Sequence, residues 1–159
     1  MKENQNLFRD LQEDFRKMKK NLLVAQSGGP TAAINATLAG VIKQAIKEEQ
    51  IDQVYGACYG IQGVLEQKFV NLTEKVDTEE KLEKLKRTPA AALGSCRFKL
   101  NDIKEDDSQY QEIVDILHKM NIGYFVYIGG NDSMDTVAKL SAYCKEKGVE
   151  DIKVIGGPK

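Results

Sequence analysis

Cysteine and histidine are scarce in this sequence of 159 residues, and neither forms a metal-binding pattern. The three cysteines, Cys58, Cys96 and Cys144, are far apart in the chain and odd in number. This usage is typical of a reducing cytoplasm and argues against a disulfide scaffold or a zinc site. The single histidine, His118, falls on the polar face of a predicted helix. We do not expect it to act as a general base.

A charge excess and long apolar runs are also absent. The net charge of -1 argues against electrostatic binding of nucleic acid, which usually needs a basic excess. No apolar run approaches the roughly 18 residues of a membrane span, and the polar N-terminus lacks the apolar core of a secretory signal. With 30% charged and 42% hydrophobic residues, the composition predicts one globular domain that binds neither nucleic acid nor a membrane.

The common nucleotide-binding signatures, G-x-G-x-x-G and G-x-x-x-x-G-K-[ST], are missing, which disfavours an ordinary dinucleotide or P-loop fold. Two other junctions are present instead, at Ser27–Thr31 and at Gly129–Ser133. Each follows an apolar run and precedes a helical pattern. A strand end, a tight glycine turn and a helix N-terminus with free N–H groups form a phosphate site in open α/β sheets. The sequence therefore predicts a phosphorylated ligand.

Apolar periodicity predicts strands that alternate with helices. The predicted strands are 21–26, 53–58, 122–128 and one that begins at 152; the predicted helices are 30–49 (with Pro30 in the first turn), 77–86, 107–120 and 133–147. Segment 59–64 is predicted as a loop or short helix, and 88–98 as a loop with little regular structure. This alternation predicts an α/β class with a mainly parallel sheet. The strand ends should bring Gly28, Gly129 and Gly157 to one edge of that sheet.

Residues 1–20 form a separate charged extension ahead of an α/β domain at 21–159. Apolar side chains recur in the extension at helical spacing, at Leu7, Leu11, Phe15 and Met18. This spacing predicts an amphipathic helix. Because acidic and basic residues are mixed on its polar face, we expect it to pack on its own domain or on a partner subunit instead of a membrane.

Several polar residues near the two junctions are candidate ligands. Asn131, Asp132 and Asp135 place one amide and two carboxylates around a helix start. These residue types either cap a helix or supply oxygen ligands to a Mg²⁺ ion that bridges a polyphosphate, and the sequence leaves both interpretations open. Arg97 lies in a predicted loop, where its guanidinium is suited to clamp a phosphoryl group. Thr31 offers a hydroxyl donor beside the first turn.

Five segments together resemble the phosphofructokinase family, in its order and at compatible spacings: Ser27–Ala36, Tyr59–Val64, Leu93–Phe98, Gly129–Ser133 and Gly157–Lys159. The resemblance covers residues from 21 to the end. It implies a Rossmann-like three-layer sandwich, the N-terminal domain of that family. It also implies phosphoryl transfer to the 1-hydroxyl of fructose 6-phosphate, a glycolytic reaction that uses Mg²⁺.

The resemblance further implies that the phosphoryl donor is diphosphate. Asp132 stands where ATP-dependent members have a glycine, so its carboxylate would fill the room for the α-phosphate of ATP and repel it. Lys159 matches a lysine of the diphosphate-dependent members. Cys58 stands where an aromatic packs on adenine in many ATP enzymes. An ATP-dependent enzyme remains the alternative.

The same resemblance implies roles for individual residues. Arg97 would clamp the transferring group and Lys159 would stabilise charge in the transition state, which makes these two the catalytic residues. The family's usual metal aspartate is Asn131 here, so either Asp132 holds the metal or diphosphate itself does. The donor-binding residues implied are Gly28, Gly29, Thr31, Arg97, Gly130, Asp132 and Ser133.

In the family, the general base and the sugar-phosphate pocket follow the position of Lys159, where this sequence ends. We therefore expect this chain to be inactive as a kinase on its own. An incomplete domain leaves a sheet edge uncovered, which predicts a homo-oligomer. Two other interpretations stay open, a non-catalytic phosphate-binding subunit and a relative of the NAD or lipid kinases, although the Ser27–Ala36 segment argues against the second.

Overall fold

Five strands form one sheet in the order β3-β2-β1-β4-β5. The computed structural model describes residues 2–29 and 31–159. The central strand β1 pairs in parallel with β2 and β4, β4 pairs in parallel with β5, and β2 pairs antiparallel with β3. The predicted α/β class with a mainly parallel sheet is confirmed. The strands are β1 Lys20–Gln26, β2 Ile51–Ala57, β3 Phe69–Asn71, β4 Ile122–Gly129 and β5 Lys153–Pro158.

Seven helices are described: α1 Lys2–Met18, α2 Ile34–Lys47, α3 Gly60–Leu65, α4 Leu72–Lys75, α5 Glu79–Arg87, α6 Ser108–Lys119 and α7 Asn131–Glu146. All predicted helices are present, and segment 59–64 forms a short helix. Two helix starts near the glycine turns differ from the prediction by two residues or more. Helix α2 begins later, at Ile34, and the expectation for Pro30 lies outside the described residues. Helix α7 begins earlier, which places Asn131 and Asp132 in its first turn.

The short elements β3 and α4 were not predicted. Strand β3 has three residues, too few to show an alternating pattern, and it is defined by its pairing with β2. Helix α4 follows at once, and Asn71 caps it by accepting a hydrogen bond from the Glu74 N–H. Both elements depend on a neighbour distant in sequence, because the Thr73 hydroxyl also accepts from the Val54 N–H.

Helices cover both faces of the sheet, which makes the three-layer sandwich. Side chains of β1 alternate between the faces: Leu23 packs in the cluster that includes α3, α6 and α7, whereas Val24 packs in the cluster that includes α2 and α5. Both side chains are fully buried. Because parallel strands are covered on both faces, β1 and β4 are continuous apolar runs, the pattern from which they were predicted.

We expected helix α1 to pack on its own domain or on a partner subunit, and the structure does not show it packed on its own domain. Its apolar stripe is exposed, with Leu7, Leu11 and Met18 at 60%, 50% and 71%. The Phe15 side chain lies outside the described part of the chain. Packing on the chain's own domain is therefore not seen, and packing on a partner subunit stays a prediction. No helix in the described part of the chain combines the length and the apolar character needed to cross a membrane.

Candidate phosphate-binding site

The ends of three neighbouring strands bring the predicted turns together. Gln26 at the end of β1 pairs with Ile128 of β4, and the Ser27 N–H extends this ladder by donating to the Ile128 carbonyl over 2.8 Å. The end of β5 continues it, since the Lys159 N–H donates to the Gly129 carbonyl over 3.3 Å. The predicted gathering of the glycine turns at one sheet edge is confirmed.

The first turn depends on its two glycines. Gly28 and Gly29 have φ angles of 53° and 70°, in the left-handed region that side chains disfavour. The turn exposes backbone to the space above the sheet edge, and the Lys159 ammonium donates to the Gly29 carbonyl over 2.9 Å. The turn after β1 and the end of β5 are thereby linked.

The second turn leads directly into the N-terminus of α7. Gly130 is the N-cap residue and no side chain caps this helix, so the capping interpretation of Asn131 and Asp132 is not supported. Asp135 pairs along the helix with Lys139, at 2.8 Å between carboxylate and ammonium. The uncapped N–H groups and the helix dipole make this end of α7 favourable for an anion.

A cavity of about 520 Å³ lies between these turns and the loop that follows α5. Thr31 is exposed and is not among the residues that line it, so its donor-binding role stays a prediction. Cys58 is partly buried, and its correspondence to an adenine-packing position also stays a prediction. The lining residues are Ser27, Gly28, Gly29, Cys96, Arg97, Phe98, Lys99, Tyr127, Gly130, Asn131, Asp132, Ser133, Thr136 and Lys159.

The charged lining is mostly cationic. Arg97, Lys99 and Lys159 face a single carboxylate, Asp132, among the described lining residues. Sequence reasoning missed Lys99, although a cation two residues after Arg97 in the same loop was a readable signal. The Lys99 ammonium lies 3.9 Å from the Asp132 carboxylate, and both side chains are largely exposed, so this ion pair is weak. A cavity with this excess of positive charge attracts polyanions.

Ser133 contributes a hydroxyl with no protein partner. Its side chain is 1% exposed, and its Oγ makes no hydrogen bond within the described part of the chain. A buried hydroxyl without a partner is unfavourable, by about 1–3 kcal/mol. Since Ser133 lines the cavity in the first turn of α7, an anion bound there would accept this hydrogen bond and relieve the cost.

Tyr127 forms part of the cavity floor and was not predicted as a site residue. Its ring is 1% exposed, and its hydroxyl accepts a hydrogen bond from the Ile61 N–H over 3.2 Å. Burial raises the pKa of Tyr127 to about 12, because the phenolate would lose its solvation. The floor is therefore neutral at physiological pH and adds no negative charge below a bound anion.

We expect the stability of the chain to fall at high pH because of Tyr127. The folded pKa of about 12 exceeds the unfolded value of roughly 10, so the neutral phenol's contribution is fully present below pH 10. It is lost as the pH rises through 12, at a total of about 2–3 kcal/mol. Urea unfolding at several pH values between neutral and strongly alkaline measures this loss. Tyr127→Phe should make the decline shallower, and an unchanged slope would contradict the assignment.

The described residues hold no group of three or more His, Cys, Asp or Glu side chains arranged for a metal ion. Asn131 and Asp132 contribute an amide and a carboxylate to the cavity lining near the α7 N-terminus, while Asp135 is engaged with Lys139. Magnesium sites of phosphoryl-transfer proteins commonly use one or two carboxylates together with phosphate oxygens and water. Asp132 is the carboxylate in this lining that could hold a Mg²⁺ ion bound to a phosphorylated ligand.

His118 lies outside the cavity, on the surface of α6. Its Nε2 is 3.0 Å from the Asp151 carboxylate. The hydrogen bond from His118 lowers the pKa of Asp151. Cys58, Cys96 and Cys144 are free thiols in the structure.

Two glycine turns and a helix N-terminus around a cationic cavity, at the carboxyl edge of a parallel sheet, define a Rossmann-like phosphate-binding protein. Comparison with known protein families identifies the family within this class. The family described as Phosphofructokinase matches residues 21–159, and the chain belongs to that family.

Individual relatives agree with this membership. The chain is 44% identical over 123 residues to the pyrophosphate–fructose 6-phosphate 1-phosphotransferase of Rhodospirillum rubrum, which covers 77% of this chain and 29% of that protein. It is 32% identical over 122 residues to ATP-dependent 6-phosphofructokinase 3 of Bacteroides thetaiotaomicron, covering 75% and 34%. The crystal structure of the pyrophosphate-dependent phosphofructokinase of Nitrosospira multiformis matches with a TM-score of 0.77 and 37% identity, covering 86% and 33%. The chain thus spans about a third of the length of these relatives.

Proposed function

We propose that this chain forms the phosphoryl-donor site of a cytoplasmic, glycolytic 6-phosphofructokinase that converts fructose 6-phosphate to fructose 1,6-bisphosphate with diphosphate as donor. The observation that carries this proposal is the cavity itself. It gathers Arg97, Lys99 and Lys159 around the uncapped N-terminus of α7. Membership of the phosphofructokinase family supports phosphoryl transfer as the reaction class. The cationic cavity is the place where a polyanionic phosphoryl donor would bind.

One phosphate of the donor lies against the Gly28–Gly29 turn and accepts a hydrogen bond from the Ser133 hydroxyl. Arg97 binds the transferring phosphoryl group through its forked guanidinium. Lys159 now donates to the Gly29 carbonyl, and in the complex its ammonium moves to a phosphate oxygen over the same turn. Fixed cations and N–H groups of this kind stabilise the charge that is spread over the phosphoryl oxygens in the transition state.

Asp132, with Asn131 beside it, would hold a Mg²⁺ ion from the protein side, and oxygens of the bound diphosphate would complete its coordination. When bound, the ion neutralises charge on the donor and helps to orient it. This proposed division of ligands would accommodate the asparagine at position 131, since one protein carboxylate is sufficient when the donor itself binds the metal.

The position of Asp132 favours diphosphate over ATP as the phosphoryl donor. Asp132 lies in the first turn of α7 and lines the cavity, so a donor seated on the glycine turns meets its carboxylate. The relatives between 38% and 44% identical are named as pyrophosphate-dependent enzymes. An ATP-dependent activity is the second candidate, and it is favoured by the Bacteroides thetaiotaomicron relative.

Calorimetric titration of the 159-residue chain with diphosphate and with ATP, each with Mg²⁺, tests the donor. We expect binding of diphosphate and weak or absent binding of ATP. Arg97→Ala should weaken diphosphate binding about tenfold or more, because it removes charge-assisted hydrogen bonds of about 1.5–3 kcal/mol. Arg87→Ala is the matched control, since Arg87 is an exposed arginine outside the cavity. ATP binding that exceeds diphosphate binding would contradict the donor assignment.

We also propose that the protein is a homo-oligomer. Strand β5 is at the edge of the sheet, and Ile155 on it is 46% exposed. An unpaired edge with exposed apolar side chains favours association. Light scattering on the chain should give a dimer or a larger species, and the mass of a monomer would contradict the proposal.

A further inference from the structure

Gln26 is a fully buried amide at the point where β1 ends, directly before the first glycine turn. Its Nε2 donates to the Asn35 Oδ1 over 3.0 Å and to the Ile34 carbonyl over 3.4 Å. Its Oε1 accepts from the Leu93 N–H over 2.9 Å. The last contact joins β1 to the loop after α5, which lies 67 residues further along the chain.

Asn35, in the first turn of α2, extends this connection. It is also fully buried. Its Nδ2 donates to the Thr88 carbonyl over 2.8 Å, and its Oδ1 accepts from the Ala92 N–H over 2.9 Å. Both amides are thus satisfied, which matters because a buried amide without partners is costly.

The loop held by these amides is the one that carries Arg97. Residues 88–100 have almost no regular structure, so no helix or strand sets their path. The amides hold the loop at Thr88, Ala92 and Leu93, and the Ser27 hydroxyl forms a longer contact of 3.5 Å with the Cys96 carbonyl. Arg97 follows directly after that contact.

We propose that Gln26 and Asn35 are positioning residues for donor binding. They attach the Arg97 loop to the strand end from which the Gly28–Gly29 turn begins. The loop and the turn, which both line the cavity, are therefore held in a fixed relative position. Neither Gln26 nor Asn35 lines the cavity, so they act through Arg97 and not by touching the donor. This inference rests on the proposed function, because Arg97 matters only if a phosphorylated donor binds.

A double-mutant cycle on the 159-residue chain tests the proposal, with Mg²⁺-diphosphate as the probe. Gln26→Met keeps the length of the side chain and removes all three hydrogen bonds. We expect it to weaken diphosphate binding about tenfold in the wild-type chain and to have almost no further effect in Arg97→Ala. Equal losses in both backgrounds would show a general structural effect and would overturn the proposal.

Two further variants keep the test interpretable. Asn71→Ala removes a helix cap outside the cavity, so it should lower stability without changing diphosphate affinity. If Gln26→Met does not fold, Asn35→Ala interrupts the same network from α2 and enters the same cycle. A loss of affinity in Asn71→Ala equal to that in the network variants would also overturn the proposal.

A readout that needs no ligand separates this inference from the proposed function. The NMR order parameter of the Arg97 backbone amide should fall in Gln26→Met and stay unchanged in Asn71→Ala. If the wild-type chain binds no diphosphate, the donor assignment fails, and the order parameter alone decides the positioning role. An unchanged Arg97 order parameter in Gln26→Met would overturn that role.

Discussion

Replacing Gly129 with alanine is expected to destabilise the chain by about 2–3 kcal/mol and to abolish binding of diphosphate. A Cβ at this position would lie 2.1 Å from the Ser133 Oγ and 2.6 Å from the Ser27 carbonyl oxygen. Neither atom moves easily, because one belongs to a buried side chain and the other to the backbone that begins the first glycine turn. The two turns would have to separate, which opens the donor cavity.

The neighbouring Gly130→Ala is the matched control. Its Cβ would meet only the Lys159 Cε, at 3.7 Å, which is an ordinary contact with a flexible side chain. The φ angle of Gly130 is -89°, which alanine adopts without strain. Because alanine is less favourable than glycine at an N-cap, we expect a loss of at most about 1 kcal/mol. Urea unfolding followed by circular dichroism measures both variants, and similar losses in the two would contradict the steric argument.

Replacing Asp132 with glycine is expected to raise the affinity for ATP relative to diphosphate by about tenfold or more, which corresponds to about 1.4 kcal/mol. The change removes a carboxylate that repels the additional phosphate of ATP, and it also removes the volume of the side chain. Asp132 makes one weak contact, with Lys99 at 3.9 Å, so the fold should tolerate its loss. Calorimetry with both donors and Mg²⁺ measures the ratio.

Two variants separate the causes in this experiment. Asp132→Asn keeps the volume and removes the charge, so it reports the electrostatic part of the selectivity. Asp135→Gly makes the same substitution one turn further along α7, where the carboxylate pairs with Lys139 outside the cavity. It should leave the donor ratio unchanged. An equal shift in Asp135→Gly, or no shift in Asp132→Gly, would contradict a selective role for Asp132.

The α/β class and the strand ends were predictable because they depend on local patterns. The apolar runs of β1 and β4 reflect burial on both faces, and the paired glycines after them mark turns with little dependence on distant residues. Since parallel strands end at one edge, Gly28 and Gly129 had to meet. Arg97 was singled out as an arginine in a predicted loop, and Lys159 through the resemblance to the phosphofructokinase family.

The details of the site depended on distant contacts. Asn131 and Asp132 have the composition of helix caps, yet Gly130 occupies the N-cap position and no side chain caps the helix. Thr31 is exposed and is not among the residues that line the cavity, so its place at the site stays a prediction. Lys99 belongs to the cavity only because its loop folds back over the sheet edge.

The sequence by itself determined the alternation of the longer strands and helices, the two glycine turns and the resemblance to the phosphofructokinases, because these follow from periodicity and from short segments with local geometry. Only the tertiary structure decided which side chains meet above the sheet edge. That choice is made by the path of residues 88–98, which have no periodicity, and by buried amides that hold it from 57 and 67 residues away. A hydrogen bond between such distant residues leaves no pattern in the sequence, so the shape of the cavity could be described only after the chain had folded.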